Sequence, residues 1–352
     1  MPGSTARRQI ILHAGLPKTG TTYLQRCFVA NRTWLADRGV GYPQYGQEHQ
    51  DGHHNLSFRL RDLPPQDTPP DGLSPEQAVR RALDEGDHSR VLLSSEGFSA
   101  LDPAGVSVLQ RAFDGCDVRV AVYLRRRSQV CVSAWQESVK HGSSVALLEF
   151  VAEQLLGSSA RLLRFEQVLT AIYHAFGRSA MRVIVYDHVV EDGLDLFEHF
   201  VTTTLDLEVD EGLCGRGRTI NEAIGQARLE VVRAINQARA VRGKPATASH
   251  LAPLLEFLAR DPFGQELTDR VADVIERRGE YLDLSALDSE WRDRDQSVRL
   301  ALGDAVCNAA GEHDLFRPGD SARPRILRPS ELYAAIPPAE FGALLDRLDG
   351  SD

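Results

Sequence analysis

Short apolar segments alternate with helical segments along the N-terminal part of the chain. Segments of strand length occur at Gln9–His13, Val40–Tyr42, Arg90–Ser94, Val118–Leu124 and Arg182–Tyr186. A segment with helical periodicity follows almost every one of them. Continuous apolar strands that alternate with helices are typical of a parallel sheet that is buried on both faces. The sequence therefore predicts an α/β fold: a parallel sheet with helices on both faces.

The length of 352 residues suits one large α/β domain, or a core with a helical addition. The segment from Thr219 onward has helical periodicity and shows no convincing strand. We therefore predict a core over residues 1–218 and a helical C-terminal region over residues 219–352, packed on the core as one domain. Residues 44–74 end in a proline-rich stretch and are predicted to be a surface insertion.

The net charge limits the kinds of binding partner that we expect, and the cysteine pattern indicates the cellular compartment. The formal net charge of −10 gives no support for a surface that binds nucleic acid or an anionic membrane. No apolar segment is long enough to span a bilayer, and the N-terminus does not read as a signal peptide. Five scattered cysteines without CxxC spacing favour a reducing compartment over a disulfide framework or a zinc site. These features predict a cytoplasmic protein with neither a nucleic-acid nor a membrane partner.

The most informative segment is the loop between the first strand and the first helix, which reads GLPKTGTT over residues 15–22. The backbone N–H groups of such a loop, with the N-terminus of the following helix, bind phosphate or sulfate oxygens. A nucleotide triphosphatase has its lysine directly after the second glycine. Here that position is Thr21, and the lysine lies earlier, as Lys18. The loop therefore predicts an anion site in which the lysine contacts a different part of the ligand.

A second basic feature is the run Arg125–Arg127 at the end of the strand predicted at Val118–Leu124. Ligands of open parallel sheets bind beyond the carboxyl ends of the strands, which is where Arg125 is predicted to lie. A guanidinium can bind two phosphate oxygens, and Ser133 in the following helix can donate another hydrogen bond. Taken alone, a basic cluster at the end of a strand is usually an exposed, hydrated surface. In combination with the first loop, this cluster predicts the second half of a nucleotide-binding site.

Together these features resemble the PAPS-dependent sulfotransferases, including the bacterial ones, where PAPS is 3′-phosphoadenosine 5′-phosphosulfate. Residues 17–22 match the family's 5′-phosphosulfate loop, P-K-[ST]-G-[ST]-[ST], at every position, and Arg125 and Ser133 reproduce the spacing of its arginine and serine. The resemblance implies a P-loop nucleotide-binding fold with PAPS as co-substrate and no metal. It also implies a set of donor-binding residues, which are Pro17, Lys18, Thr19, Gly20, Thr21, Thr22, Arg125 and Ser133.

Two further segments resemble the family more loosely. The stretch Arg216–Asn221, which contains Arg218, is implied to lie over the 3′-phosphate or the adenine. The pair Tyr186-Asp187 at the end of a predicted strand is similar to a Tyr-Glu/Asp pair of the family. Taken by itself, Asp187 is predicted to be a helix N-cap or a turn residue.

The resemblance implies in-line transfer of a sulfuryl group to a hydroxyl or amine of a small-molecule or carbohydrate acceptor, with release of adenosine 3′,5′-bisphosphate. Lys18 is expected to neutralise the charge that grows on the bridging oxygen of the donor. Glu96, at the end of an apolar strand, is the leading candidate for the general base, as in glycan sulfotransferases. His53 and His54, expected in an exposed loop, are the rivals, because histidine suits proton transfer near neutral pH.

Two other functions stay open at this point. A P-loop kinase for a small molecule shares the fold and the glycine loop, but it requires the lysine that is missing after Gly20. A catalytically silent nucleotide-binding module would keep the same site without an acceptor pocket. A kinase should bind ATP–Mg²⁺ more tightly than adenosine 3′,5′-bisphosphate, and a sulfotransferase should show the opposite preference. A silent module should bind PAPS tightly but transfer no label from it to any acceptor.

Overall fold

The computed structural model describes residues 7–48, 51–66, 71–156, 163–213, 224–244, 248–319, 321–336, 340, 342 and 344–346. The strands are β1 (Gln9–His13), β2 (Val40–Gly41), β3 (Arg90–Ser94), β4 (Asp117–Leu124), β5 (Met181–Val185), β6 (Glu280–Tyr281) and β7 (Arg325–Ile326). The helices are α1 (Thr21–Ala30), α2 (Arg32–Ala36), α3 (His54–Leu60), α4 (Pro75–Leu83), α5 (Pro103–Ala112), α6 (Arg127–Lys140), α7 (Leu147–Leu156), α8 (Phe165–Phe176), α9 (Tyr186–Glu191), α10 (Leu196–Thr203), α11 (Gln226–Val241), α12 (Ala248–Arg260), α13 (Pro262–Arg278), α14 (Ser285–Glu290), α15 (Arg292–Leu302) and α16 (Pro329–Ala335).

Strands β1 to β5 form one parallel sheet in the order β2-β3-β1-β4-β5. The central strand β1 pairs with β3 on one side and with β4 on the other, and β5 pairs with the far side of β4. Because all these strands run in the same direction, their carboxyl ends meet at one edge of the sheet. The loops that follow β1, β3, β4 and β5 are therefore neighbours, at the place where open α/β sheets bind ligands.

Both faces of the sheet are buried, because successive residues of a strand point to opposite sides. In β1, Ile10 and Leu12 join an apolar cluster with helices α3, α4, α5 and α8, whereas Ile11 joins a second cluster with α1, α2 and α10. The same alternation separates Val122 from Tyr123 in β4. This arrangement confirms the predicted α/β fold, a parallel sheet with helices on both faces.

The chain divides into two compact units that do not follow the predicted boundary at residue 218. Unit 1 comprises Met1–Arg126, Arg164–Asn221 and Trp291–Pro318, and unit 2 comprises Arg127–Leu163, Glu222–Glu290 and Gly319–Asp352. The segment from Trp291 returns to unit 1 because it pairs with the edge strand β5. There, the Val185 N–H donates to Asn308 Oδ1 at 2.7 Å, and Asn308 Nδ2 donates to the Val185 carbonyl at 3.1 Å.

Unit 2 has an apolar core of its own, which explains why helices α6 and α7 belong to it. Trp135 of α6 and Val151 of α7 are buried in one cluster with Leu229 of α11 and Leu267 of α13. In this unit β6 and β7 form a small antiparallel sheet, in a region where no strand was expected. Two-residue strands are too short to give a periodic signal.

Two other details differ from the sequence-based expectation. The helical segment that follows the first strand is not continuous: it is divided into α1 and α2 at Asn31, whose side chain donates to the Cys27 carbonyl at 2.8 Å. Residues 44–74, predicted to be an irregular insertion, contain helix α3, whose Leu56 and Leu60 are buried in a cluster of the sheet. In the described part of the chain, no helix is both long and apolar enough to cross a membrane.

Candidate active site

The loop after β1 leads into α1 through Gly20, which is the N-cap residue of the helix. Gly20 has a φ of 78°, and a Cβ at this position would lie 2.4 Å from Leu196 Cδ2. Both facts favour glycine here, because other residues rarely adopt this backbone conformation. Glycine offers no side-chain cap, and the first N–H groups of a helix have no acceptor within it. An anion at the N-terminus of α1 could therefore accept hydrogen bonds from the first N–H groups of the helix.

Short hydrogen bonds fix the loop against the end of β4. The N–H groups of Ala14 and Leu16 donate to the carbonyls of Ala121 and Tyr123 at 3.0 and 3.1 Å. Thr19 is fully buried, and its hydroxyl donates to the Leu16 carbonyl at 2.6 Å, which closes the turn. Among the other predicted donor-binding residues of this loop, Thr21 is buried, whereas the following are half-buried: Pro17, Lys18, Gly20 and Thr22.

Arg125 lies directly beside this loop. Its Nη1 donates to the carbonyl oxygen of Lys18 at 3.0 Å, and its Cζ lies 5.2 Å from the centre of the Tyr186 ring. Its Nε is 3.7 Å from Asp187 Oδ1 and makes no hydrogen bond within the described part of the chain. The guanidinium therefore keeps donors that Lys18 does not use, at a side chain that is 22% exposed. The lysine loop and Arg125 share one edge of the sheet.

Asp187, in the helix that follows β5, anchors the end of β4. Its Oδ2 accepts the Arg126 N–H at 2.7 Å, and its side chain is 10% exposed. Burial raises the pKa of this carboxyl, and the Arg126 N–H and the two nearby guanidinium groups of Arg125 and Arg126 oppose that effect. Asp187 is the second residue of α9, and Val185 is the N-cap. The prediction that Asp187 is a helix N-cap or a turn residue is therefore wrong, because Asp187 lies within α9 and its carboxylate accepts a hydrogen bond from the end of β4.

Glu96 follows β3 and contacts the loop from the other side. The Thr21 hydroxyl donates to Glu96 Oε2 at 2.9 Å. The two segments approach so closely that a Cβ on Gly15 would lie 3.2 Å from the Cα of Glu96. The carboxylate is half-buried at the start of a short 3₁₀ helix over Glu96–Ala100. One oxygen of Glu96 is thus fixed at the loop, beside the N-terminus of α1.

His53 and His54 are buried, which contradicts their expected exposure in a loop. The Ser94 N–H donates to Nδ1 of His53 at 3.1 Å, and Nε2 of His53 donates to the Pro43 carbonyl at 3.0 Å. Burial lowers the pKa of His53 to about 3, so this ring is a neutral structural link between β3 and the segment after β2. His54 begins α3, where its Nδ1 lies 3.0 Å from the hydroxyl of Ser95.

Two predicted donor-binding residues, Ser133 and Arg218, are not among the described contacts of the loop, Arg125 and Glu96. Ser133 is a half-buried residue of α6 in unit 2, and Arg218 lies outside the described residues. The sequence places Tyr186 at the end of a predicted strand, but it does not predict the contact between its ring and Arg125. Among the described residues, no group of three or more His, Cys, Asp or Glu side chains is arranged to hold a metal ion.

Comparisons with known proteins add little to this geometry. No family model matches the sequence, and no curated protein matches it. The structure is similar to the crystal structure of a sulfotransferase from Alicyclobacillus acidocaldarius, with 17% sequence identity, a TM-score of 0.40, and coverage of 66% of this chain and 95% of that chain. With so low a TM-score, the similarity carries no weight for the function of this chain.

The buried neutral state of His53 gives an expected pH dependence of stability. The pKa of His53 in the folded protein is about 3, below the ordinary value of 6.5. The contribution of the neutral ring to the free energy of unfolding is therefore complete above pH 6.5 and is lost as the pH falls toward 3. Between these limits we expect His53→Asn to reduce the slope of unfolding free energy against pH by up to about 1.4 kcal/mol per pH unit. Urea unfolding between neutral pH and pH 5 measures the slope. His174→Asn, at an exposed site, is the control; equal slopes in wild type and His53→Asn would contradict the assignment.

Proposed function

We propose that the protein is a sulfotransferase that moves the sulfuryl group of PAPS to a hydroxyl or amine of a small-molecule or carbohydrate acceptor. The observation that carries this proposal is the 3.0 Å hydrogen bond from Arg125 to the Lys18 carbonyl. It joins the two basic features that the sequence pattern assigns to the two ends of one nucleotide. A ligand with an anionic group at each end can contact both features at the same sheet edge.

The two features suit the two anionic ends of the donor. The loop amides from Thr19 to Thr22, with the N-terminus of α1, would hold the 5′-phosphosulfate. Arg125 would bind the 3′-phosphate through the donors that the Lys18 carbonyl leaves free. Because the net charge of the chain is −10, a nucleotide with an anionic group at each end needs such local cations and amides to overcome the overall field.

In the proposed reaction, the acceptor oxygen or nitrogen attacks sulfur in line. A bond forms between this atom and sulfur, while the bond between sulfur and the bridging oxygen of the 5′-phosphate breaks. Adenosine 3′,5′-bisphosphate leaves with that electron pair. Lys18 neutralises the charge on the bridging oxygen, and the acceptor proton passes to a general base.

Glu96 is the base that the geometry supports best. Its Oε2 is held by the Thr21 hydroxyl, so the carboxylate is fixed beside the loop that would hold the sulfuryl group. His53 is fully buried with both ring nitrogens bonded to the backbone, and it cannot accept a proton from an acceptor without losing one of these bonds. His54 stays a weaker candidate, because only 8% of its surface is exposed.

Donor binding and label transfer test the proposal. We expect the wild type to bind adenosine 3′,5′-bisphosphate more tightly than ATP–Mg²⁺ in calorimetry, and to transfer label from radiolabelled PAPS to a member of a hydroxyl and amine library. Lys18→Ala should lower turnover by about 10²–10³, the usual loss for one preorganised donor, and Arg125→Ala should chiefly weaken nucleotide binding. Arg178→Ala, an exposed arginine at the opposite edge of the sheet, is the matched control. Preference for ATP–Mg²⁺, or full turnover in Lys18→Ala, would refute the proposal.

Glu96→Gln tests the base separately from the donor site. Glutamine keeps an oxygen that can accept from Thr21, so the loop should be preserved and nucleotide affinity should change little. We expect turnover with a hydroxyl acceptor at saturating PAPS to fall by about 10²–10⁴, the usual contribution of a positioned base. His54→Asn is the comparison variant, and unchanged turnover in Glu96→Gln would remove Glu96 from this role.

A further inference from the structure

Tyr186 and Asp187 are the first two residues of α9, and both contact Arg125. In the parallel pairing of β4 with β5, Leu124 lies opposite Val185, so Arg125 and Tyr186 follow their strands at the same level. The Tyr186 ring centre is 5.2 Å from Arg125 Cζ, and Asp187 Oδ1 is 3.7 Å from Arg125 Nε. With the Lys18 carbonyl, these groups hold the guanidinium from three directions.

The carboxylate of Asp187 is itself fixed in place. Its second oxygen accepts the Arg126 N–H at 2.7 Å, so the group cannot rotate away without losing a buried hydrogen bond. Its Oδ1 lies 3.7 Å from Arg125 Nε, and at this ion-pair distance the negative charge favours an orientation of the guanidinium in which Nε faces the carboxylate. Asp187 therefore determines which way the remaining donors of Arg125 point.

The Tyr186 ring lies near both Arg125 and the loop. A Cβ on Gly20 would lie 3.4 Å from Tyr186 Cε2, so the ring lies near the N-cap of α1. The guanidinium lies within the range of a cation–π contact with the same ring. Tyr186 thus links the position of Arg125 to the position of the loop that carries Lys18.

An arginine held in this way loses less conformational freedom when it binds a phosphate than one on a freely moving side chain. We infer that Tyr186 and Asp187 are positioning residues for Arg125 and that they give the donor site its selectivity for nucleotides with a 3′-phosphate. The inference rests on the proposed sulfotransferase function. The inference predicts the direction in which removal of the Asp187 charge changes phosphate binding. If the charge acted only by repulsion, its removal would strengthen phosphate binding, whereas loss of its orienting role would weaken it.

Selectivity is measured as the ratio of the Kd for AMP to the Kd for adenosine 3′,5′-bisphosphate, since the two nucleotides differ only in the 3′-phosphate. We expect Asp187→Asn to lower this ratio about tenfold. Loss of a residue that orients a metal ligand through a hydrogen bond has an effect of this size on metal affinity. Tyr186→Ala should lower it too, and Tyr186→Phe, which keeps the ring, should not. In an Arg125→Ala background, Asp187→Asn should have no further effect on the ratio.

The controls separate positioning from folding. Asp192→Asn removes a carboxylate at the other end of α9, where it pairs with Arg317 at 2.9 Å, and it should leave the ratio unchanged. Melting temperatures show whether each variant is folded, and Tyr186→Ala gives a second readout if Asp187→Asn does not fold. An unchanged ratio in both variants, or tighter binding of both nucleotides by Asp187→Asn, would overturn the positioning role alone. A wild type that does not distinguish the two nucleotides would overturn the proposed donor site, and this inference with it.

Discussion

The hydrogen bond from Arg125 to the Lys18 carbonyl is the contact on which the candidate site depends. It connects the end of β4 to the loop after β1, and the parallel register of the two strands makes it possible. Because β1 is the central strand, β3 ends on the other side of the same loop, where Glu96 accepts from Thr21. One cation and one carboxylate therefore flank the loop from opposite sides.

Burial assigns different roles to the polar groups at this sheet edge. His13 and His53 are fully buried, and burial lowers the pKa of each to about 3, so they serve as neutral hydrogen-bonding groups. Glu96 and Lys18 are only half-buried and can exchange partners with a ligand. Arg125 is half-buried as well, but it is held by the Lys18 carbonyl and lies near the Tyr186 ring. Such a division between a rigid interior and accessible groups is what a preorganised site requires.

Patterns of residues that are close in the sequence predicted the elements whose formation depends on such residues. The apolar runs predicted the bounds of β1 and β3, and the glycine loop predicted that a helix follows β1. Contacts between distant segments could not be predicted: Asn308 reaches Val185 across 123 residues, and this pairing returns the segment from Trp291 to unit 1. The burial of His53 and the partners of Asp187 depend on the same kind of contact. A loop position in the sequence does not reveal which side chains the fold covers.

A crystal structure of the protein with adenosine 3′,5′-bisphosphate tests the central claim most directly. We expect one nucleotide with its 5′-phosphate on the amides of Thr19 to Thr22 and its 3′-phosphate in contact with the Arg125 guanidinium. A nucleotide that binds elsewhere, or one whose 3′-phosphate makes no contact with Arg125 while the 5′-phosphate occupies the loop, would contradict the claim that these two features form one donor site.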